Sequence, residues 1–155
     1  MTTKHRIAAA IVVAVVVGGV MLAAQAADPL IGTWKINLAK SKGVKSGTSK
    51  IEAVGDGVKF TVDFVGTDGT DRHWEFTAKY DGKDNPVTGN NPYGDVVALT
   101  RVDAQTTRIT NKQGGKVTAT STIVVSADGK TRTTTTKGTG AKGEPIDVVS
   151  FYEKQ

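Results

Sequence analysis

The chain has no cysteine in its 155 residues. No disulfide can form, and no thiol follows the apolar N-terminal run to serve as the acylation point of a lipoprotein. Histidine is almost as scarce: there are two, His5 and His73. Only His73 lies beyond the N-terminal run, on the polar side of a strand-like segment, so neither a histidine metal site nor a Ser-His-Asp triad can be assembled around a second imidazole. Gly43 to Lys50 lacks the Gly-Lys-Ser/Thr ending of a phosphate loop, and Asp81 to Asp84 and Asp128-Gly129 lack the acidic ligand count of a calcium loop. These absences argue against an enzyme and against a metal or cofactor. Paired carboxylates, which meet only in the fold, are the one acid-base arrangement left open.

Strong charge is missing too. Beyond Lys4 and Arg6 of the leader, 18 basic side chains face 15 acidic ones, a net of +3. The lysines are scattered among acids rather than clustered with stacking aromatics, which excludes a nucleic-acid partner. The one cluster, Lys40, Lys42, Lys45 and Lys50, sits among Ser and Gly and reads as a solvated loop. Contact with anionic headgroups or an acidic polymer is its alternative.

Long apolar runs are confined to one place. Ile7 to Ala24 follows Lys4, His5 and Arg6 and exits through Ala24-Gln25-Ala26, the three-part pattern of a secretory signal peptide over residues 1–27. Its eighteen residues approach the roughly 20 that span a bilayer. Gly18-Gly19 and the alanines lower hydrophobicity toward the exit, which favours a removed leader over a retained anchor. The expected product is one domain, 28–155, periplasmic or secreted, with no stable membrane insertion after cleavage. Its oligomeric state is not encoded in any pattern.

What is present is β-sequence punctuated by turns. Gly55-Asp56-Gly57, Asp68-Gly69, Asp81-Gly82, Gly114-Gly115, Asp128-Gly129 and Gly140 to Gly143 separate β-branched runs. Val58, Phe60, Val62 and Phe64 alternate with Lys59, Thr61 and Asp63, and Trp74, Phe76, Ala78 and Tyr80 alternate with Glu75, Thr77 and Lys79. A period of two places each apolar set on one face. Further strands are predicted at 33–38, 49–54, 96–102, 106–112, 116–126, 131–137 and 146–153, about nine in all. Only 38–45 has room for a helical turn. Without crossover helices the strands must pair antiparallel in chain order. That leaves an up-and-down barrel of about 8–10 strands or a two-sheet sandwich, and closure is favoured because it leaves no edge. The Pro- and Asn-rich segment from Asp84 to Gly94 is the longest loop, placed to cover one mouth.

Two segments resist the simple pattern. Thr131 to Thr136 has strand propensity but no apolar face. It is either an outer strand wetted on both sides or a wall whose inner hydroxyls line a cavity holding water or a ligand. Arg101 shares parity with Val97 and Leu99, so it either ends a strand in solvent or enters the interior. There it would need a partner such as a ligand carboxylate.

Gly32-Thr33-Trp34 opens the first strand, as the Gly-x-Trp motif does in lipocalins and the wider calycin group, and Phe151-Tyr152-Glu153-Lys154 is similar to the closing strand of intracellular fatty-acid-binding barrels. Lys79-Tyr80-Asp81-Gly82-Lys83-Asp84 with Pro86-Val87-Thr88-Gly89 resembles a family of small exported bacterial proteins of unassigned function, often described as lipocalin-like. The likeness runs through nearly the whole of 28–155 and implies a lipocalin-like barrel with Trp34 plugging its base. The chain departs from the fatty-acid binders at Ser150, where they carry an arginine that helps hold a carboxylate, leaving Tyr152 alone. Their lid helices have no counterpart. The basic residue that packs over the motif tryptophan in lipocalins would have to be Lys137 or Lys154.

Two functions from different classes remain. One is an exported carrier that holds a small, mostly apolar ligand against Phe60, Val62, Phe64, Trp74, Phe76, Tyr80, Arg101 and Tyr152. The other is a filled barrel acting through its surface as an envelope structural or interaction module. A pocket of a few hundred Å³ favours the first, and normal interior packing favours the second.

Overall fold

The computed structural model describes residues 27–140 and 143–155. The leader therefore lies outside the described residues, apart from Ala27. Eleven strands form one antiparallel sheet: β1 Gly32–Ile36, β2 Val44–Val54, β3 Gly57–Gly66, β4 Asp71–Ala78, β5 Asp81–Pro86, β6 Thr88–Gly89, β7 Val96–Arg101, β8 Thr106–Gln113, β9 Lys116–Val125, β10 Thr131–Thr139 and β11 Pro145–Lys154. All nine expected strands are present. A single 3-10 turn, Leu38–Lys40, occupies the place where a helical turn was expected. Among the described residues no helix is long and apolar enough to cross a membrane.

Neighbours in the sheet follow the order β5-β7-β8-β9-β10-β11-β1-β2-β3-β4-β6. The first and last strands pair with each other across Trp34↔Lys154 and Ile36↔Tyr152, so the N- and C-terminal strands lie side by side. The other closure is made by one stretch of chain. β5 pairs with β7, β6 pairs with β4, and only Val87 separates β5 from β6. Residues 81–89 thus bond to both edges and complete a nearly closed barrel, which is the device that protects sheet edges. These two short strands escape sequence reading because they have no apolar face. Their residues are mostly exposed turn formers, and their pairing is a backbone affair.

Two-residue loops join two of the hairpins, β2 to β3 and β8 to β9. Gly114 and Gly115 both adopt positive φ, +55° and +78°, between the paired Gln113 and Lys116. Only glycine enters that geometry without steric cost. The base of the barrel is packed with apolar side chains around Trp34. Leu30, Trp34, Ile51, Val58, Val97, Leu99 and Val125 are almost wholly buried there. The Trp34 Nε1–H donates to the Leu30 carbonyl at 2.9 Å, and the Lys154 ammonium lies 5.0 Å above the indole. Of the two lysines expected over this ring, Lys154 takes the place.

Candidate functional site

Above that base the interior has two unlike walls. β3 and β4 supply the first, where cross-strand partners Phe60 and Phe76 stack with centroids 4.7 Å apart and planes at 14°. Phe64 meets Trp74 edge-on at 6.1 Å. Such pairs add stabilisation beyond the area they bury. The second wall comes from β2, β8, β9, β10 and β11. It presents Ser49, Asn111, Ser121, Thr136 and Ser150, all buried, together with Arg132 and Thr134. The inner face of the threonine-rich strand is thus a cavity wall, one of the two readings open from its sequence. Ser121 and Thr136 satisfy each other through a 2.8 Å hydrogen bond.

Between the walls lies a cavity of about 70 Å³. That is room for about five waters, well below the size of an open carrier pocket. Tyr93 closes it from above, its ring perpendicular to Trp74 at 6.3 Å. Burial pushes the Tyr93 phenol well above its usual pKa. Tyr93 comes from the segment expected to cover a mouth. Asn90 pins one end of that segment, accepting from the His73 N–H at 2.6 Å and donating to the Asp71 carbonyl at 3.1 Å. Gly94 lies so close to β8 that a Cβ would stand 2.2 Å from the Lys112 carbonyl oxygen.

Arg132 dominates the electrostatics. It is 3% exposed. One Nη donates to the Ser49 hydroxyl, while the guanidinium carbon sits 4.2 Å over Tyr152 and 5.1 Å from Trp34. Among the described residues its Nε and its other Nη have no hydrogen-bond partner, and neither does the buried Thr134 hydroxyl; the Tyr152 side chain beside the guanidinium offsets part of the effect of burial. No carboxylate is among the residues lining the cavity. Burial lowers the Arg132 pKa to about 10, which leaves it a cation at neutral pH. A buried guanidinium with two unanswered donors is strongly unfavourable unless an anion or ordered water meets it.

Six of the eight expected site residues, Phe60, Val62, Phe64, Trp74, Phe76 and Tyr152, line this cavity. Tyr80 and Arg101 do not. They form a separate cluster at the base with Asp28, whose carboxylate accepts from Arg101 at 2.5 Å and from the Tyr80 hydroxyl. Arg101 stacks over the Tyr80 ring at 4.0 Å and also donates to Thr107. The carboxylate expected to meet an interior Arg101 comes from the chain itself. Burial, reinforced by Asp28, raises the Tyr80 pKa well above normal. His73 is exposed and bonds to Asp63 at 2.8 Å. The lysine cluster is dispersed: Lys42 pairs with Asp147, Lys50 with Glu52, and Lys40 rests on Phe151.

Sequence reading missed Arg132, Tyr93 and the hydroxyls of Ser49 and Ser121, while the inner threonines of 131–136 were one of its two alternatives. The signal for Arg132 was its alternation with Thr134 and Thr136, on the inner parity of a strand flanked by apolar-faced neighbours. No known family pattern matches the chain, and no curated protein matches it. Among solved structures it is similar to zebrafish ileal bile acid-binding protein complexed with cholic acid, at 13% identity over 82% of this chain and 99% of that one, with a TM-score of 0.49. The fold assignment rests on the strand order and register above.

Proposed function

We propose that the protein is an exported carrier that holds a small amphipathic molecule inside the barrel. Its anionic end meets Arg132 and Thr134, and its apolar body lies along Phe60, Trp74 and Phe76. The observation that carries this reading is the pair of unpartnered Arg132 nitrogens on a wall without carboxylates. An acid chain neighbour or an aliphatic replacement would relieve that cost, whereas a bound anion relieves it only when present. Binding rather than turnover is favoured, because neither histidine nor carboxylate is among the cavity-lining residues.

One observation favours the second reading, a filled barrel that works through its outer surface: the cavity is only about 70 Å³. Native mass spectrometry on protein purified from the envelope of the producing cell separates the two. The carrier reading expects an added small mass that is released on denaturation and is missing from Arg132→Met. A bare polypeptide mass in both proteins contradicts it. N-terminal sequencing of the same material tests export, with Ala27 or Asp28 expected as the first residue and Met1 or Thr2 counting against it.

A further inference from the structure

Among the described residues three arginines are half-buried or deeper, and the chain treats them differently. Arg72 sits at the rim with the Asp68 carboxylate 2.6 Å from one Nη, and Arg101 sits at the base with the Asp28 carboxylate at 2.5 Å. Each is neutralised by an acid of the chain itself. Arg132 is the most buried of the three, and the cavity it lines contains no carboxylate. That inverts the order expected from electrostatics, because burial raises the cost of an unpaired charge.

The groups packed against the guanidinium do not supply the missing charge. They are the Ser49 hydroxyl from β2, the Trp34 indole from β1 and the Tyr152 ring from β11. Lys154 shares the Trp34 ring with Arg132 but is a further cation, and its ammonium donates to the Pro29 carbonyl at 3.4 Å, away from the cavity lining. Along that lining Arg132 alone is charged at neutral pH. The other polar groups are serine and threonine hydroxyls, the Asn111 amide and the phenols of Tyr93 and Tyr152. Burial holds Tyr93 in its protonated form.

The enclosed space therefore carries one positive charge. A guest with one negative charge brings the total to zero. A guest with two leaves an unpaired negative charge where solvent screens weakly.

We propose that the Arg132 cavity selects its guest by charge number, taking acids with a single negative charge and rejecting dianions of the same shape. The class admitted is monocarboxylates and monosulfonates. Dicarboxylates and doubly ionised phosphates or phosphonates are excluded. An acid with a second ionisable proton must keep that proton to enter, so its uptake from basic solution consumes one. The proposal rests on the carrier reading and adds the charge state of the ligand.

Isothermal titration calorimetry on the native protein tests it with benzenesulfonate and phenylphosphonate, two probes of nearly the same size and shape. The sulfonate carries one negative charge throughout, whereas the phosphonate passes from one to two as its second proton leaves. Selection by charge number predicts a sulfonate Kd that changes by less than about twofold over the pH range in which the phosphonate titrates. The phosphonate Kd should weaken about tenfold per pH unit above its second pKa. In that range about one proton should be taken up for each phosphonate bound, read from the dependence of the binding heat on the buffer, and none for each sulfonate. If the sulfonate binds and the phosphonate binds equally well as a dianion, without proton uptake, the inference falls while the carrier reading stands. If neither the sulfonate nor benzoate binds, the carrier reading fails and takes the inference with it.

Discussion

The aromatic wall of β3 and β4 and the hydroxyl-bearing wall of β2 and β8 to β11 enclose the same cavity and do opposite things for the protein. The aromatic wall is built to be buried. Phe60 and Phe76 stack on each other, and every apolar atom they hide contributes to folding. The hydroxyl wall spends stability instead. It places a guanidinium where its Nε and one Nη go unanswered, beside a threonine hydroxyl in the same condition. Where one half of a barrel is optimised for burial and the other is not, the second half is where function is to be sought.

Mutations sharpen that contrast, beginning with the largest effect. Phe60→Ala should cost about 3–5 kcal/mol in urea unfolding, because it removes a stacked ring from the aromatic wall. A loss under about 1 kcal/mol would show that this wall yields easily and that the contrast is false. Arg132→Met should move the other way. Replacing an under-satisfied buried cation by an apolar side chain of similar length should raise stability by about 1–3 kcal/mol while abolishing uptake of an anionic probe. Destabilisation of similar size would mean that its contacts with Trp34 and Tyr152 outweigh its desolvation, and that the residue is structural. Thr134→Val exchanges an unpartnered hydroxyl for a methyl group. It should be neutral or stabilising by up to about 1 kcal/mol, read from the same denaturation curves.

The smallest effect concerns the clasp of the aromatic hairpin. Asp68 accepts two hydrogen bonds from Arg72, at 3.0 and 2.6 Å, and these, with the Thr70 N–H, hold its carboxyl well below the usual range. A carboxyl whose pKa is lowered by folding stabilises above its unfolded value, near 3.8, and that stabilisation is lost as pH falls further. Asp68→Asn should therefore be slightly less stable than the parent at pH 7, and the gap should close as pH drops below about 4. A gap independent of pH would remove the ion pair from the account.

How much of this the sequence disclosed follows the same division. The aromatic wall was legible because burial writes itself as alternation: Phe60, Val62 and Phe64 opposite Trp74 and Phe76 need only period-two counting. The base was legible through Trp34. The hydroxyl wall was ambiguous, since Thr134 and Thr136 carry the same letters whether they face water or a polar cavity, and only the position of β10 between β9 and β11 decides. The seam strands were illegible because they have no apolar face and pair mainly through backbone. Arg101 shows the limit most clearly. Its parity left it either ending a strand in solvent or turned inward, and its partner Asp28 lies 73 residues away in the chain, a contact that closure creates and no local pattern encodes.

The most direct test observes the Arg132 donors themselves. In nitrogen-15 NMR of the protein, the Arg132 Nε–H resonance, assigned by its loss in Arg132→Met, should shift progressively and saturably as benzoate is added, while the Arg101 resonance stays in place. A resonance that does not move at benzoate concentrations that shift other cavity signals would contradict an anion site at Arg132.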